Sequence, residues 1–336
     1  MPETRPIRRK PGLRIALLSA ASVIVLLGGV VAGGFAYVTH VFGSIPKVPV
    51  SFIADTSGTA GAMTVLLTGY QLGPTAWNRS QAQTSDGSGL IMLLHLDADH
   101  QGGGVVSIPP QTEVRVPGHG SMQLWNTLVV GGPSLVVQTV QSLTGVHIDH
   151  YARVNFNDVA ATIDALGGVS VTVPQSTTAF GHRFKAGADQ LSGPAAMAYA
   201  RQLNLTEAGR VQRQQALLRA IVTKVADQSL LTDPVTAMKV LRSFTRTLTV
   251  DSSFTTTQIE SLAAEIGSLK PGTAAYVTAP VTARGTKPVI TPGNATTGTE
   301  TLKQPEASQL WTAIRQDSII AFAQRYPSTV TPGAIG

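Results

Sequence analysis

The chain has 336 residues, 13% of them charged and 5% aromatic, with 33 glycines, 20 prolines and no cysteine. That length allows one large domain with appendages, and the lack of cysteine excludes a disulfide framework and a thiolate metal site. Four of the six net positive charges fall in the first fourteen residues, where Arg5, Arg8, Arg9, Lys10 and Arg14 face only Glu3. The remainder therefore lacks the basic excess of a nucleic-acid-binding body, and no nucleic-acid partner is expected.

Ile15 to Val38 contains no Asp, Glu, Lys, Arg or His. At about 1.5 Å per residue such a run spans roughly 36 Å, enough for a tilted transmembrane helix. It exceeds the ~7–15 apolar residues of a signal peptide, so it reads as a retained anchor. The basic tail at 1–14 precedes it and no comparable cluster follows. This predicts a single span over 15–39, with the N-terminus cytoplasmic and the rest outside the cell membrane. The Gly29-xxx-Gly33 spacing is a weak sign of helix pairing in so glycine-rich a run.

Residues 40–61 lack periodicity and read as a linker. Val65-Leu66-Leu67 opens a buried strand that stops at Gly69. Leu90 to Leu96 is a continuous apolar run, the mark of a strand covered on both faces. Within it, His95 reads as a satisfied core histidine. Gly102-Gly103-Gly104 reads as the hairpin loop before a strand at Val105 to Ile108, since no helix with Lys or Ser follows to make a phosphate cradle. Ser134 to Thr144 is an amphipathic helix ended by Gly145. A short strand at Val154 to Phe156 precedes a helix capped by Asn157 and closed by Gly167-Gly168. Val169 to Val173 alternates as a strand, Gly193-Pro194 starts a helix through Tyr199, and Leu205 to Val225 continues as a longer one. Pro234 to Leu248 and Thr257 to Leu269 are predicted helices, and Ala274 to Thr278 and Pro288 to Thr291 predicted strands. No site motif is visible beyond Leu231. Strands alternating with helices predict an α/β domain over 62–230, completed or flanked by 231–322, with a flexible tail at 323–336. His147 and His150 lack a third ligand at a matching spacing, and no hydrolase template is present.

Ser107-Ile108-Pro109-Pro110-Gln111-Thr112 closes an apolar strand with two prolines and an amide, a junction where α/β proteins present site residues. The stretch resembles S-I-P-R-D-T of the LytR-CpsA-Psr family of membrane-anchored cell-envelope phosphotransferases. Further segments follow in family order. They are Thr64-Val65-Leu66-Leu67-Thr68-Gly69, Thr84-Ser85-Asp86, Leu143-Thr144-Gly145-Val146-His147-Ile148-Asp149-His150-Tyr151, Leu166-Gly167-Gly168-Val169, Leu191-Ser192-Gly193, Tyr199-Ala200-Arg201 and Gly209-Arg210-Val211-Gln212-Arg213-Gln214.

The resemblance covers roughly Thr64 to Val225. It implies a three-layer α/β/α sandwich with a central mixed sheet, behind one N-terminal transmembrane helix. It also implies a polyprenyl-phosphate or pyrophosphate lipid carrying a glycan, a cell-wall acceptor, and Mg²⁺. Arg forks neutralise a pyrophosphate, while carboxylates hold Mg²⁺ against it. On that pattern Asp86 is a metal ligand and catalytic residue, and Arg201 and Arg210 are catalytic. Arg201, Arg210, Arg213 and Gln214 hold the pyrophosphate. Gln71 stands where the family has a metal-binding Asp, as a weakened ligand, and Glu207 stands for another Asp. Pro110, Gln111, Thr84, Gln123 and Leu203 replace charged family residues, and Arg79 reads as an exposed loop arginine. Two functions fit this mixture, a phosphotransferase with a remodelled metal site or a non-catalytic lipid-binding or regulatory paralogue.

Overall fold

The computed structural model describes residues 36–54, 59–70, 89–202, 207–226, 234–269, 273–284, 289–291, 294–296 and 299–331. The chain divides into two units at Ser44. In the first, residues 36–43 are helical, and the Ser44 N–H donates to His40 O at 3.1 Å. Most of the expected span lies outside the described residues, and among those described no helix is long and apolar enough to cross a membrane.

The second unit holds the main fold. Its early strands are β1 (Lys47–Val48), β2 (Met63–Tyr70), β3 (Leu90–Leu96), β4 (Gly103–Ser107), β5 (Glu113–Val116) and β6 (Gly120–Gln123). Helix α1 (Asn126–Thr144), β7 (His150–Asn155), α2 (Phe156–Ala165), β8 (Val169–Val173), β9 (Thr177–Ala179), β10 (His182–Phe184) and β11 (Gly187–Leu191) follow. Then come α3 (Gly193–Ala200), α4 (Glu207–Ala226), α5 (Pro234–Thr247), β12 (Leu248–Asp251), α6 (Thr256–Ser268) and β13 (Ala274–Thr278). The unit ends with β14 (Val281–Arg284), β15 (Val289–Thr291), β16 (Asn294–Thr296), β17 (Thr299–Leu302), α7 (Glu306–Arg315) and α8 (Ile319–Arg325).

Seven strands make one mixed sheet in the order β1-β12-β7-β2-β3-β4-β13. The parallel pair β2–β7 sets Leu66 beside Tyr151, and the antiparallel pair β2–β3 sets Leu66 beside Leu93. Side chains alternate along each strand. Leu66, Leu93, Val106, Tyr151 and Val277 therefore share one face, where they pack with Val136 and Val140 of α1, Leu310 of α7 and Phe322 of α8. Each such burial contributes roughly 1.5–3 kcal/mol. Ser107 points to the opposite face, where Gln215 of α4 donates to its Oγ at 2.7 Å and to Val277 O at 2.8 Å. A second core joins Ile163, Val171, Phe184, Tyr199 and Leu217 around β8, whose buried and exposed residues alternate strictly. The result is a mixed sheet with helices on both faces.

Strands β2, β4, β7 and β13 run the same way and end at one edge of the sheet, while β3 and β12 run oppositely and end at the other. The Ser107–Thr112 loop after β4 falls at the first edge, as expected for an α/β sheet.

Several local expectations need correction. Gly103 and Gly104 are not loop residues; they open β4, and the turn closes earlier with the Asp97 N–H donating to Gly102 O at 3.0 Å. A Cβ on Gly103 would sit 2.2 Å from His95 O, so the glycine permits close strand approach rather than a turn. Helix α1 begins at Asn126, eight residues before Ser134, and continues across a kink at Gly132, with φ 64°. The cap of α2 is Asn155, whose side chain accepts from the Asn157 N–H, so β7 extends back to His150. Lys47 and Val48, within the expected linker, pair in parallel with β12.

Candidate functional site

The loop after β4 is fixed by its own backbone. The Ile108 N–H donates to Ile91 O at 2.9 Å, and the Thr112 N–H closes a turn onto Pro109 O at 3.0 Å. Pro110 presets the first central position of that turn. The Trp125 N–H then takes Pro110 O, the Glu300 N–H takes Gln111 O at 3.3 Å, and the Leu124 N–H takes Thr112 O. The consecutive carbonyls of the loop are all satisfied, which holds it rigid. Gln111 is 2% exposed, and Gln123 accepts from Trp125 Nε1 at 2.8 Å, tying down the β6 end.

Three arginines come to this edge on two helices. Gly193 allows α3 to start against α2, since a Cβ there would lie 2.0 Å from Ala160 O. That contact sets the direction of α3 and of Arg201 just beyond it. The Arg201 guanidinium lies 5.2 Å from the Phe180 ring centroid and lines a cavity of about 300 Å³. Phe156, Ala160, Pro194, Met197 and Ala198 give the cavity a mostly apolar wall. On α4, Arg210 and Arg213 are 5% and 9% exposed, with Gln214 buried beside them. Three and four residues apart, they share one helix face. The Arg213 guanidinium lies 4.6 Å above the Tyr199 ring, two residues before Arg201, which links the two arginine-bearing helices.

Burying two cations costs several kcal/mol each unless they are paired. The Tyr199 ring offsets part of that, about 0.5–2 kcal/mol. Burial lowers the Arg213 pKa from its ordinary value, with Tyr199 opposing, and burial raises that of Tyr199, with Arg213 opposing. Arg213 Nη1 is sealed from solvent and makes no hydrogen bond among the described residues. Gln202, fully buried after α3, likewise has neither amide atom hydrogen-bonded among them. This edge therefore holds buried donors with capacity left for an anion.

Sequence reasoning missed Glu300. It lies on β17, which pairs with β14 in a hairpin laid along the Gln111 loop, with a bridge from Thr112 to Glu300. Burial raises the Glu300 pKa above the ordinary value, and Arg210 opposes the shift. Its Oε2 is buried and accepts no hydrogen bond among the described residues. No motif in the Thr- and Gly-rich segment around it announces this role. An orphaned carboxylate oxygen beside the arginines fits the oxygen-donor chemistry of Mg²⁺, which one or two carboxylates plus substrate phosphates commonly hold.

Asp86 and Gln71, the expected metal ligands, lie outside the described residues, as do Arg79, Thr84, Leu203 and the side chain of Glu207. Thus Arg210, Arg213 and Gln214 are brought together on α4, and Arg201 is joined to them through Tyr199. His147 and His150 diverge. His150 is buried against Asp251 at 3.2 Å and stacks on Phe254 at 3.9 Å, whereas His147 is half-buried beside Asp149.

Comparison with known proteins places this geometry. The profile of the LytR_cpsA_psr family matches residues 46–313. LcpB of Corynebacterium glutamicum, named for cell wall biosynthesis, is 32% identical over 164 residues, which is 48% of this chain and 39% of that protein. TagU of Bacillus mycoides, named a polyisoprenyl-teichoic acid–peptidoglycan teichoic acid transferase, is 27% identical over 69% of this chain and 80% of its own length. A LytR-Csp2A-Psr enzyme from Actinomyces oris superposes with a TM-score of 0.61 at 19% identity, covering 80% of this chain and 95% of that one.

Proposed function

This chain belongs to the LytR-CpsA-Psr family, and from that premise we propose that it binds a polyprenyl-phosphate- or pyrophosphate-linked glycan at the cell membrane and passes the glycan phosphate to a cell-wall acceptor. The observation that carries this is the pair Arg210 and Arg213, about nine-tenths buried on one helix face, with Arg213 Nη1 unsatisfied among the described residues. A buried guanidinium with a donor to spare, as Arg213 has, is matched by a phosphate rather than by water. The adjoining apolar cavity, with Arg201 among its lining residues, suits an amphiphile whose tail is hydrocarbon and whose head is anionic.

In this reading Arg210 and Arg213 hold the phosphates in place, with Gln214 beside them, and Arg201 neutralises charge at the cavity. The acceptor hydroxyl oxygen forms the new bond to the glycan phosphorus as the bond to the polyprenyl phosphate breaks; the electron pair departs on that phosphate, and the hydroxyl proton passes to it or to solvent. Positioning and charge stabilisation are what such a transfer needs most. Mg²⁺, when bound, supplies Lewis-acid stabilisation of the departing phosphate. Asp86 and Glu300 would hold it, with Gln71 a neutral and weaker ligand. Membrane anchoring through 15–39 and an outward-facing body belong to the same proposal.

A non-catalytic lipid-binding or regulatory paralogue is the second reading. It is favoured by Gln111, whose uncharged side chain is buried in the loop where the family signature carries Asp. One experiment separates the two. The full chain in detergent is incubated with a polyprenyl-pyrophosphate glycan, Mg²⁺ and peptidoglycan acceptor, and both binding and transfer are assayed. Transfer that disappears in Asp86→Ala supports the enzyme. Binding without transfer supports the paralogue, and no binding at all contradicts both.

A further inference from the structure

At the opposite edge of the sheet, three side chains from distant parts of the chain converge. His95, near the end of β3, is 3% exposed in its side chain. Its Nδ1 lies 2.9 Å from Thr64 Oγ1 on the neighbouring strand. Its Nε2 lies 2.9 Å from Asp317 Oδ1 and 3.7 Å from Asp97 Oδ1. Asp97 opens the turn after β3, and Asp317, 222 residues from His95, sits between α7 and α8. The donor atoms of all three lie within 4.8 Å of one another.

Donors around one ion bound at about 2.0–2.2 Å are about 3–4 Å apart, a spacing that the 2.9 and 3.7 Å sides from His95 Nε2 approach and that a small inward turn of the carboxylates would complete. Thr64 Oγ1 occupies Nδ1 as the outer oxygen partner that metal-bound histidines usually have, which leaves Nε2 directed at the two carboxylates.

The hydrogen bonding leaves the same gap. Asp317 Oδ2 accepts from the Ala98 N–H at 3.1 Å. Asp97 Oδ1, sealed from solvent, accepts no hydrogen bond among the described residues. Two carboxylates share one imidazole here, so the cluster stays negative even with that imidazole protonated. His150 shows the contrast. Its single carboxylate partner, Asp251, accepts from the backbone N–H groups of Tyr151, Ser253 and Phe254. A cavity of about 320 Å³ opens against His95 and Thr64.

We propose that His95, Asp97 and Asp317 bind one divalent first-row transition-metal ion, distinct from any Mg²⁺ at the arginine edge, which clips the turn after β3 to the turn between α7 and α8. One imidazole nitrogen and two carboxylate oxygens suit ions of the zinc, cobalt or manganese class. The ion supplies the positive charge that the cluster lacks.

The test uses untagged, chelator-treated full chain in detergent, titrated with Co²⁺ and followed by visible absorption, and with Zn²⁺ followed by calorimetry and thermal melting. Wild type should bind one equivalent saturably and melt at higher temperature with Zn²⁺. Asp97→Asn and Asp317→Asn should each weaken binding about tenfold or more, and Thr64→Val about 10–100-fold through the histidine's outer partner. Asp86→Asn should leave binding unchanged. Asp97→Asn removes a buried charge and keeps the side-chain shape, so its folding is checked directly by its metal-free melt. No saturable binding by wild type would overturn the proposal. So would binding that survives both Asp97→Asn and Asp317→Asn, or binding that is lost with Asp86→Asn.

Discussion

At one edge of the sheet Arg210 and Arg213 are buried, with the Glu300 carboxylate acting on Arg210. At the other edge Asp97 and Asp317 are half-buried around one buried imidazole. The signs are opposite but the condition is shared, because each edge keeps a sealed polar atom with no hydrogen bond among the described residues, Arg213 Nη1 at one and Asp97 Oδ1 at the other. Asp251 and His150, also at the second edge, show what balance looks like. Each Asp251 oxygen accepts from backbone N–H groups, and His150 both pairs with it and stacks on Phe254. Buried charge satisfied by local donors holds the fold together, and buried charge left short marks where a ligand belongs.

Variants can break that distinction, and the largest effect is expected at the arginine edge. Arg213→Ala should weaken binding of geranylgeranyl pyrophosphate by about 2–5 kcal/mol, read by calorimetry, with little change in the melt. Next, Asp251→Ala should destabilise the protein by about 3 kcal/mol in urea at pH 7, since it strips an acceptor from several buried donors. Burial pushes the Asp251 pKa up, but hydrogen bonds from His150, Ser253 and the Tyr151 N–H outweigh it and hold the value at about 2. A depressed carboxylate stabilises above its unfolded value, so the difference between variant and wild type should shrink as pH falls from about 4 towards 2.

Asp97 should behave in the opposite sense. Burial raises its pKa to about 6, His95 lowers it, and Asp317 and Asp99 raise it further. The native state therefore holds a proton that the unfolded chain has released between about pH 4 and 6, and the ionised group costs stability at pH 7. Asp97→Asn should stabilise the metal-free protein by about 1–2 kcal/mol at pH 7, with the gain fading below about pH 4. The smallest effect is expected for Glu300→Gln. Without divalent cations it should tighten pyrophosphate binding a few-fold, on the order of 0.5–1 kcal/mol, by releasing Arg210 from its internal counter-charge.

Much of this arrangement was legible in the sequence. The continuous apolar runs marked β2, β3 and β4, and Arg210, Arg213 and Gln214 stood at helical spacing. Features set by distant chain were not. Gly103 looked like a turn residue because its reason, close approach to His95 O, comes from strand pairing. The start of α1 was hidden by Gly131, Gly132 and Pro133, which the helix passes through with a kink. His95 is the satisfied core histidine that its place in an apolar strand suggests, but its partner Asp317, 222 residues away, could not be read from the sequence. Glu300 reaches Arg210 only through the β14–β17 hairpin, in a segment whose composition suggests nothing about a site.

The central claim is that the buried arginines keep this edge an anion-binding site despite Pro110, Gln111 and Gln123. Its most direct test is a calorimetric titration of the full chain with geranylgeranyl pyrophosphate, beside Arg213→Ala under the same conditions. Saturable one-to-one binding by the wild type, weakened at least about thirtyfold in the variant, is the predicted result. No binding by the wild type, or equal binding by both proteins, would contradict it.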